Sequence, residues 1–124
     1  MEKVLGFGGF FFRSKDPDAL AKWYFDNLGI ALVPDDYGAP SWQQDAGPTV
    51  FAPFAASTDY FGNDAKQFML NFRVRNLDAM VAQLTSAGVA VTPDPEAYPN
   101  GRFARTHDPE GNPIELWEPA PDER

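Results

Sequence analysis

The side chains able to do chemistry gather near the end of the chain, in the stretch Gly101 to Pro119, GRFARTHDPEGNPIELWEP. His107, the only histidine, is the one side chain whose ordinary pKa lies near neutrality, so it is a candidate acid–base group. At a strand end beside a turn it would equally serve as a turn-stabilising hydrogen-bond donor. Glu115 is a candidate general base or ligand-anchoring charge, and an apolar setting would raise its pKa toward that role. The simpler expectation is a carboxylate paired with Arg105. Arg105, and Arg73 further up the chain, would grip a carboxylate or phosphate of a ligand, or close salt bridges within a sheet.

Two alternating runs, Arg102 to His107 and Pro113 to Glu118, must position these groups. Between them lies Asp108-Pro109-Glu110-Gly111-Asn112, where proline presets one turn dihedral and glycine supplies a positive one. An antiparallel hairpin closed by that turn pairs residues whose numbers sum to about 220. Arg105 then faces Glu115, Phe103 faces Trp117, and His107 lies beside Pro113. Alternation puts Phe103, Arg105, His107, Glu115 and Trp117 on one face and Ala104, Thr106, Ile114 and Leu116 on the other. One face suits a core and the other a site.

The totals exclude several classes. A length of 124 residues fits one domain, or two half-domains sharing a core. A net charge of −8 opposes nucleic-acid binding, which needs phosphate-neutralising Lys and Arg, and is compatible with a cationic ligand. No apolar run approaches the roughly 20 residues of a membrane span. Phe7 to Phe12 lacks a basic leader and a cleavage site, so a cytoplasmic protein is expected. The absence of cysteine excludes disulfides, thiolate metal sites and a Cys nucleophile. No nucleophile-elbow pattern surrounds any serine, and the glycines at 6, 8 and 9 precede more strand rather than a helix, so they form no phosphate loop.

Taken in order, Val4 to Arg13 reads as a strand, followed by a helix capped by Asp16 with Pro17 at its first position and Gly29 at its end. Trp23 and Tyr24 lie in that helix's buried stripe with Leu20 and Leu28. Strands are expected at Ile30 to Val33, Ser41 to Gln44 and Thr49 to Phe54. Ala55 to Lys66 is a polar connector whose Tyr60-Phe61-Gly62 is either a lid or a loop tucked on the core. Phe68 to Val74 is the next strand, Asn76 caps a second helix ended by Gly88, and Val89 to Thr92 is a strand. Phe12-Arg13, Asp16 and Asp18-Ala19-Leu20 recur as Phe72-Arg73, Asn76 and Asp78-Ala79-Met80 at an offset of 60 residues. The chain thus divides into two strand–helix–strand–strand–strand modules, 1–66 and 67–124, together forming one α+β domain. Two such sheets, each concave, would enclose a cavity when paired.

Tandem βαβββ modules, Asp16-Pro17 with Trp23-Tyr24 and Leu28-Gly29, and the closing Asp-Pro-Glu-Gly-Asn-Pro-Ile-Glu-Leu-Trp-Glu resemble the vicinal oxygen chelate superfamily. It includes glyoxalase I, extradiol dioxygenases, and fosfomycin and bleomycin resistance proteins. The resemblance implies a curved mixed sheet around a cavity. In metal-using members a last-strand glutamate is a ligand, and it matches Glu115. The first-strand ligand position falls at Gly9. The fifth-strand position, as far before Asn76 as Gly9 is before Asp16, falls at Met69, and the fourth-strand position lies near Phe51. None of these three offers the nitrogen or oxygen a hard divalent ion needs, so no metal or other cofactor is expected.

On the phase that this resemblance implies, Phe7, Phe11, Arg13, Met69, Asn71 and Arg73 join Phe103, Arg105, His107, Glu115 and Trp117 on the concave face, with Trp42 as a further aromatic wall. That is an apolar cavity with a few polar groups. The expected function is metal-independent binding of a small aromatic or amphipathic molecule by a homodimer, as in bleomycin-resistance-type proteins. The alternative is a lyase or isomerase with Glu115 as base and His107 or Arg105 steadying an enolate-like intermediate. A metal-dependent glyoxalase or dioxygenase comes last among the enzymes. A third option is a partner-binding or regulatory domain whose cavity is plugged by Phe11, Met69, Phe103 and Trp117.

Overall fold

Asp108-Pro109-Glu110-Gly111-Asn112 closes a turn in which Gly111 takes a φ of 80° and donates its N–H to the Asp108 carbonyl at 2.9 Å. The Asp108 carboxylate turns inward and accepts the backbone N–H groups of Glu110 and Asn112 at 2.9 and 3.0 Å. Residues 1–123 are described by a computed structural model. On either side of the turn, β3 (Gly101–His107) and β4 (Pro113–Pro119) pair antiparallel in the expected register, Arg105 opposite Glu115 and Phe103 opposite Trp117. Two more strands, β1 (Leu70–Arg73) and β2 (Thr92–Pro93), flank the hairpin. β1 runs parallel to β4, with Asn71 level with Glu115, while β2 runs antiparallel to β3. The result is one mixed four-stranded sheet in the order β1-β4-β3-β2.

Two helices cover one face of that sheet. α1 (Pro17–Leu28) starts where Asp16 accepts the Ala19 N–H at 3.2 Å and stops at left-handed Gly29; α2 (Leu77–Ser86) starts where Asn76 accepts the Ala79 N–H at 3.0 Å. Their apolar stripes supply Leu20, Tyr24, Leu77 and Leu84, which pack with Ala104, Ile114 and Leu116 from the sheet. Each leucine so buried stabilises the fold by about 2 kcal/mol in transfer terms. Thr106 shares this face because its hydroxyl donates to the Ala90 carbonyl at 2.7 Å, which removes the cost of an unpaired polar group.

The turn also ties the sheet to α1. Glu110 accepts the N–H groups of Lys15 and Asp16 and the Ser14 hydroxyl, and these donors, the Lys15 N–H first, hold its carboxyl below the usual range. The Tyr24 hydroxyl donates to Asp108 at 2.6 Å. Burial first, then that hydrogen bond, pushes the Tyr24 phenol far above its ordinary pKa.

The first half differs from expectation. Among the described residues before Leu70, α1 is the one regular element, and the strands expected at Val4–Arg13, Ile30–Val33, Ser41–Gln44 and Thr49–Phe54 do not form. A strand exists only with a partner for its backbone groups, and these segments are interrupted by Gly6, Gly8, Gly9 and Pro53 and bounded by Pro34, Pro40 and Pro48, which weaken or remove ladder positions. Phe10 and Phe12 instead stack on each other and meet Phe68 edge-on at 5.2 and 5.8 Å, leaving Phe11 between them in solvent. β2 is also shorter than the strand expected at Val89–Thr92.

Candidate functional site

The sheet face away from the helices carries Phe103, Arg105, Glu115 and Trp117, as alternation requires. Trp117 lies parallel to Phe103 in an offset pair, ring centres 6.3 Å apart and planes within 2°, and its indole N–H donates to the Asn100 carbonyl at 2.9 Å. Tyr98 meets the same Phe103 edge-on at 5.9 Å. Gly101 lets the chain turn into β3 here: its φ is +135°, and a Cβ would collide with the Glu118 carbonyl and come 2.8 Å from the Trp117 Nε1.

Glu115 is buried beneath the connector, and both of its oxygens are engaged. The Asn71 amide, delivered by the parallel register of β1, donates to Oε1 at 2.8 Å. The Tyr60 hydroxyl donates to Oε2 at 2.6 Å. Arg105 stands 3.8 Å from that same oxygen, donates to the Tyr60 carbonyl, and lays its guanidinium 4.1 Å from the centre of the Tyr60 ring. Tyr60 is therefore held by its carbonyl, its ring and its hydroxyl, while Phe54 stacks on it at 5.3 Å. Partial burial and the Glu115 hydrogen bond raise its pKa, against the opposing influence of Arg105.

Between these groups lies a cavity of about 420 Å³ lined by Tyr60, Asp94, Tyr98, Asn100, Phe103, Arg105 and Glu115. Asp94 accepts the Tyr98 hydroxyl at 2.8 Å and the Glu96 N–H at 3.0 Å. These donors, the backbone one first, hold its carboxyl down, and the pairing pushes Tyr98 up to about 12. The ionisable lining is two carboxylates against one guanidinium, a negative balance among aromatic rings. A second cavity, of about 300 Å³, lies beside Trp23, but its carboxylates, Asp16 and Glu110, are already spent on the start of α1.

Of the residues expected at the site, the cavity brings together Phe103, Arg105 and Glu115, with Asn71 and Trp117 directly behind them. Phe11, Arg13, Trp42, Met69, Arg73 and His107 do not line it. Arg73 instead donates to the Asp45 carbonyl at 2.9 Å, and His107 is exposed at the end of β3. Tyr60, Asp94, Tyr98 and Asn100 were not among the expected ligand-contacting residues. The aromatic Tyr60-Phe61-Gly62 within a polar connector was the available signal for the first of them. The other three lie in an irregular loop with no period to read.

Among the described residues no three His, Asp or Glu side chains converge on one point as metal ligands do. Gly9 and Met69, and Phe51 near by, stand where the resemblance would put the remaining ligands, and their side chains do not fit a hard divalent ion. A sequence model of the glyoxalase-like domain matches residues 9–117. The chain belongs to the glyoxalase-like domain family. This glyoxalase-like domain resembles the crystal structure of TnmS3, an antibiotic-binding protein from Streptomyces sp. CB03234, with a TM-score of 0.55 and 25% identity over 86% of this chain and 88% of that one. A glyoxalase/bleomycin resistance protein from the same organism is 28% identical, with a TM-score of 0.53 over 84% and 92%. A glyoxylase/bleomycin resistance protein/dioxygenase domain from Frankia sp. EAN1pec, 20% identical, shares the fold with a TM-score of 0.58 over 95% and 100%. No curated protein matches the domain. The vicinal oxygen chelate superfamily is thereby its fold family, and no helix among the described residues is long and apolar enough to cross a membrane.

Proposed function

We propose that this domain binds a small aromatic or amphipathic molecule, preferably a cationic one, without a metal ion and without converting it. The cavity at Glu115 carries the reading: rings at Tyr60, Tyr98 and Phe103 around a negative balance of charge. Aromatic faces and uncompensated carboxylate attract an organic cation in the same way. The similarity to an antibiotic-binding protein agrees with binding rather than turnover.

The cavity is open on one side, and the first half leaves Val4, Phe11, Val50 and Phe51 at 71–94% exposure. Exposed apolar surface of this kind marks an interface. In our reading a second copy covers it, and residues 1–66, as a module, complete the curved wall that a single sheet lacks.

Phenyltrimethylammonium and its neutral isostere tert-butylbenzene provide the test. Calorimetry is expected to show tighter binding of the cation, with the advantage shrinking in Glu115→Gln and the ligand recovered unchanged. Equal binding of the two, or a converted product, would overturn the reading. Sedimentation analysis is expected to return a dimer, and a monomer at all concentrations would remove the second-copy part.

A further inference from the structure

Tyr60 occupies the wall of the cavity in the manner of a bound molecule. It reaches Glu115 from 55 positions away in the chain, with its hydroxyl 2.6 Å from Oε2 and the Arg105 guanidinium 4.1 Å from its ring centre. The backbone hydrogen bonds around it are local turns, Ala55 to Thr58, Asp59 to Gly62 and Asn63 to Lys66. Among the described residues none joins the 55–66 connector to the sheet's backbone. The connector is pinned by side chains instead: Tyr60 on Glu115 and Arg105, and Lys66 on the Glu110 carbonyl and Asn112. Tyr60 keeps 41% exposure, so solvent already reaches one side of it.

We propose that Tyr60 is a displaceable internal surrogate, and that the cavity's ligand carries a phenolic hydroxyl which takes its place on Glu115. A carboxylate with one oxygen fixed by Asn71 and the other facing a phenol at 2.6 Å is set to accept a short charge-assisted O–H bond. The guanidinium that covers the Tyr60 ring would cover a ligand ring equally well. Any cationic group of the ligand then points away from Arg105 toward Asp94, which forms no salt bridge among the described residues. The inference rests on the binding reading above and adds the hydroxylated-aromatic class and the group that must move.

The probes are 4-methylphenol, which is the tyrosine side chain itself, and toluene, which lacks only the hydroxyl. Calorimetry on the full chain is expected to show Tyr60→Ala binding 4-methylphenol about tenfold more tightly than the parent, and about tenfold more tightly than toluene. Adding Glu115→Gln to Tyr60→Ala is expected to erase most of the preference for the phenol. Equal affinity of Tyr60→Ala for the two probes, or no gain over the parent, would overturn the proposal. Should Tyr60→Ala not fold, Tyr60→Phe keeps the ring and removes the tether. A gain for 4-methylphenol of the same sign supports the proposal, and no gain overturns it. If the parent binds phenyltrimethylammonium while neither variant gains the phenol, the surrogate falls and the binding reading stands. If no variant binds any probe, both fall.

Discussion

The last hairpin holds two carboxylates that accept a tyrosine hydroxyl at the same 2.6 Å, Asp108 from Tyr24 and Glu115 from Tyr60. At the turn, Asp108 is 1% exposed and also receives two backbone N–H groups and the Asn112 amide, so nothing from outside can compete. On the strand, Glu115 faces a cavity, and its tyrosine comes from a connector that solvent reaches. Bond length alone therefore does not tell a sealed pair from one that faces a cavity. What separates them is whether the tyrosine can leave without stranding a buried donor or acceptor.

Substitutions break this comparison at graded cost. Asp108→Ala strands four donors at once and is expected to lower stability by about 4 kcal/mol, read as a shifted denaturation midpoint with unchanged slope. Tyr24→Phe removes one buried charge-assisted bond and should cost about 2 kcal/mol by the same measurement. Tyr60→Phe, at the open pair, should stay within about 1 kcal/mol of the parent, because water can take the place of the lost donor. A loss at Tyr60 equal to that at Tyr24 would erase the distinction drawn above.

The alkaline limb sharpens the same contrast. The folded pKa of Tyr24 lies above its unfolded value of 10.0, so its contribution is complete below that pH. As pH rises past it the unfolded phenol ionises first, and stability falls. Between about pH 9 and about pH 11 the parent should lose more stability than Tyr24→Phe does. Tyr60 and Tyr98 are raised in the same direction, so the loss is reduced in that variant rather than abolished.

The legible parts of the molecule were those with a period or a cap. The hairpin register followed from turn residues set between two alternating runs, and both helix starts followed from Asp16 and Asn76. The buried role of Asp108 was not legible, since an Asp-Pro turn reads alike whether its carboxylate faces water or a tyrosine. Tyr60 escaped assignment for a related reason: irregular segments reach their partners through tertiary contact, which leaves no spacing to detect. The first-half strands were expected from local composition, but pairing needs a neighbour that composition does not supply.

Glu110 gives the first helix a peculiar dependence. The amides at the entrance to α1 are satisfied by a side chain lying 95 positions downstream of Lys15. During synthesis the helix leaves the ribosome long before Glu110 is made, so these two amides stay hydrated until the residues between Lys15 and Glu110 have followed. A truncation that removes Glu110 is thereby an injury to the residues that lead into α1.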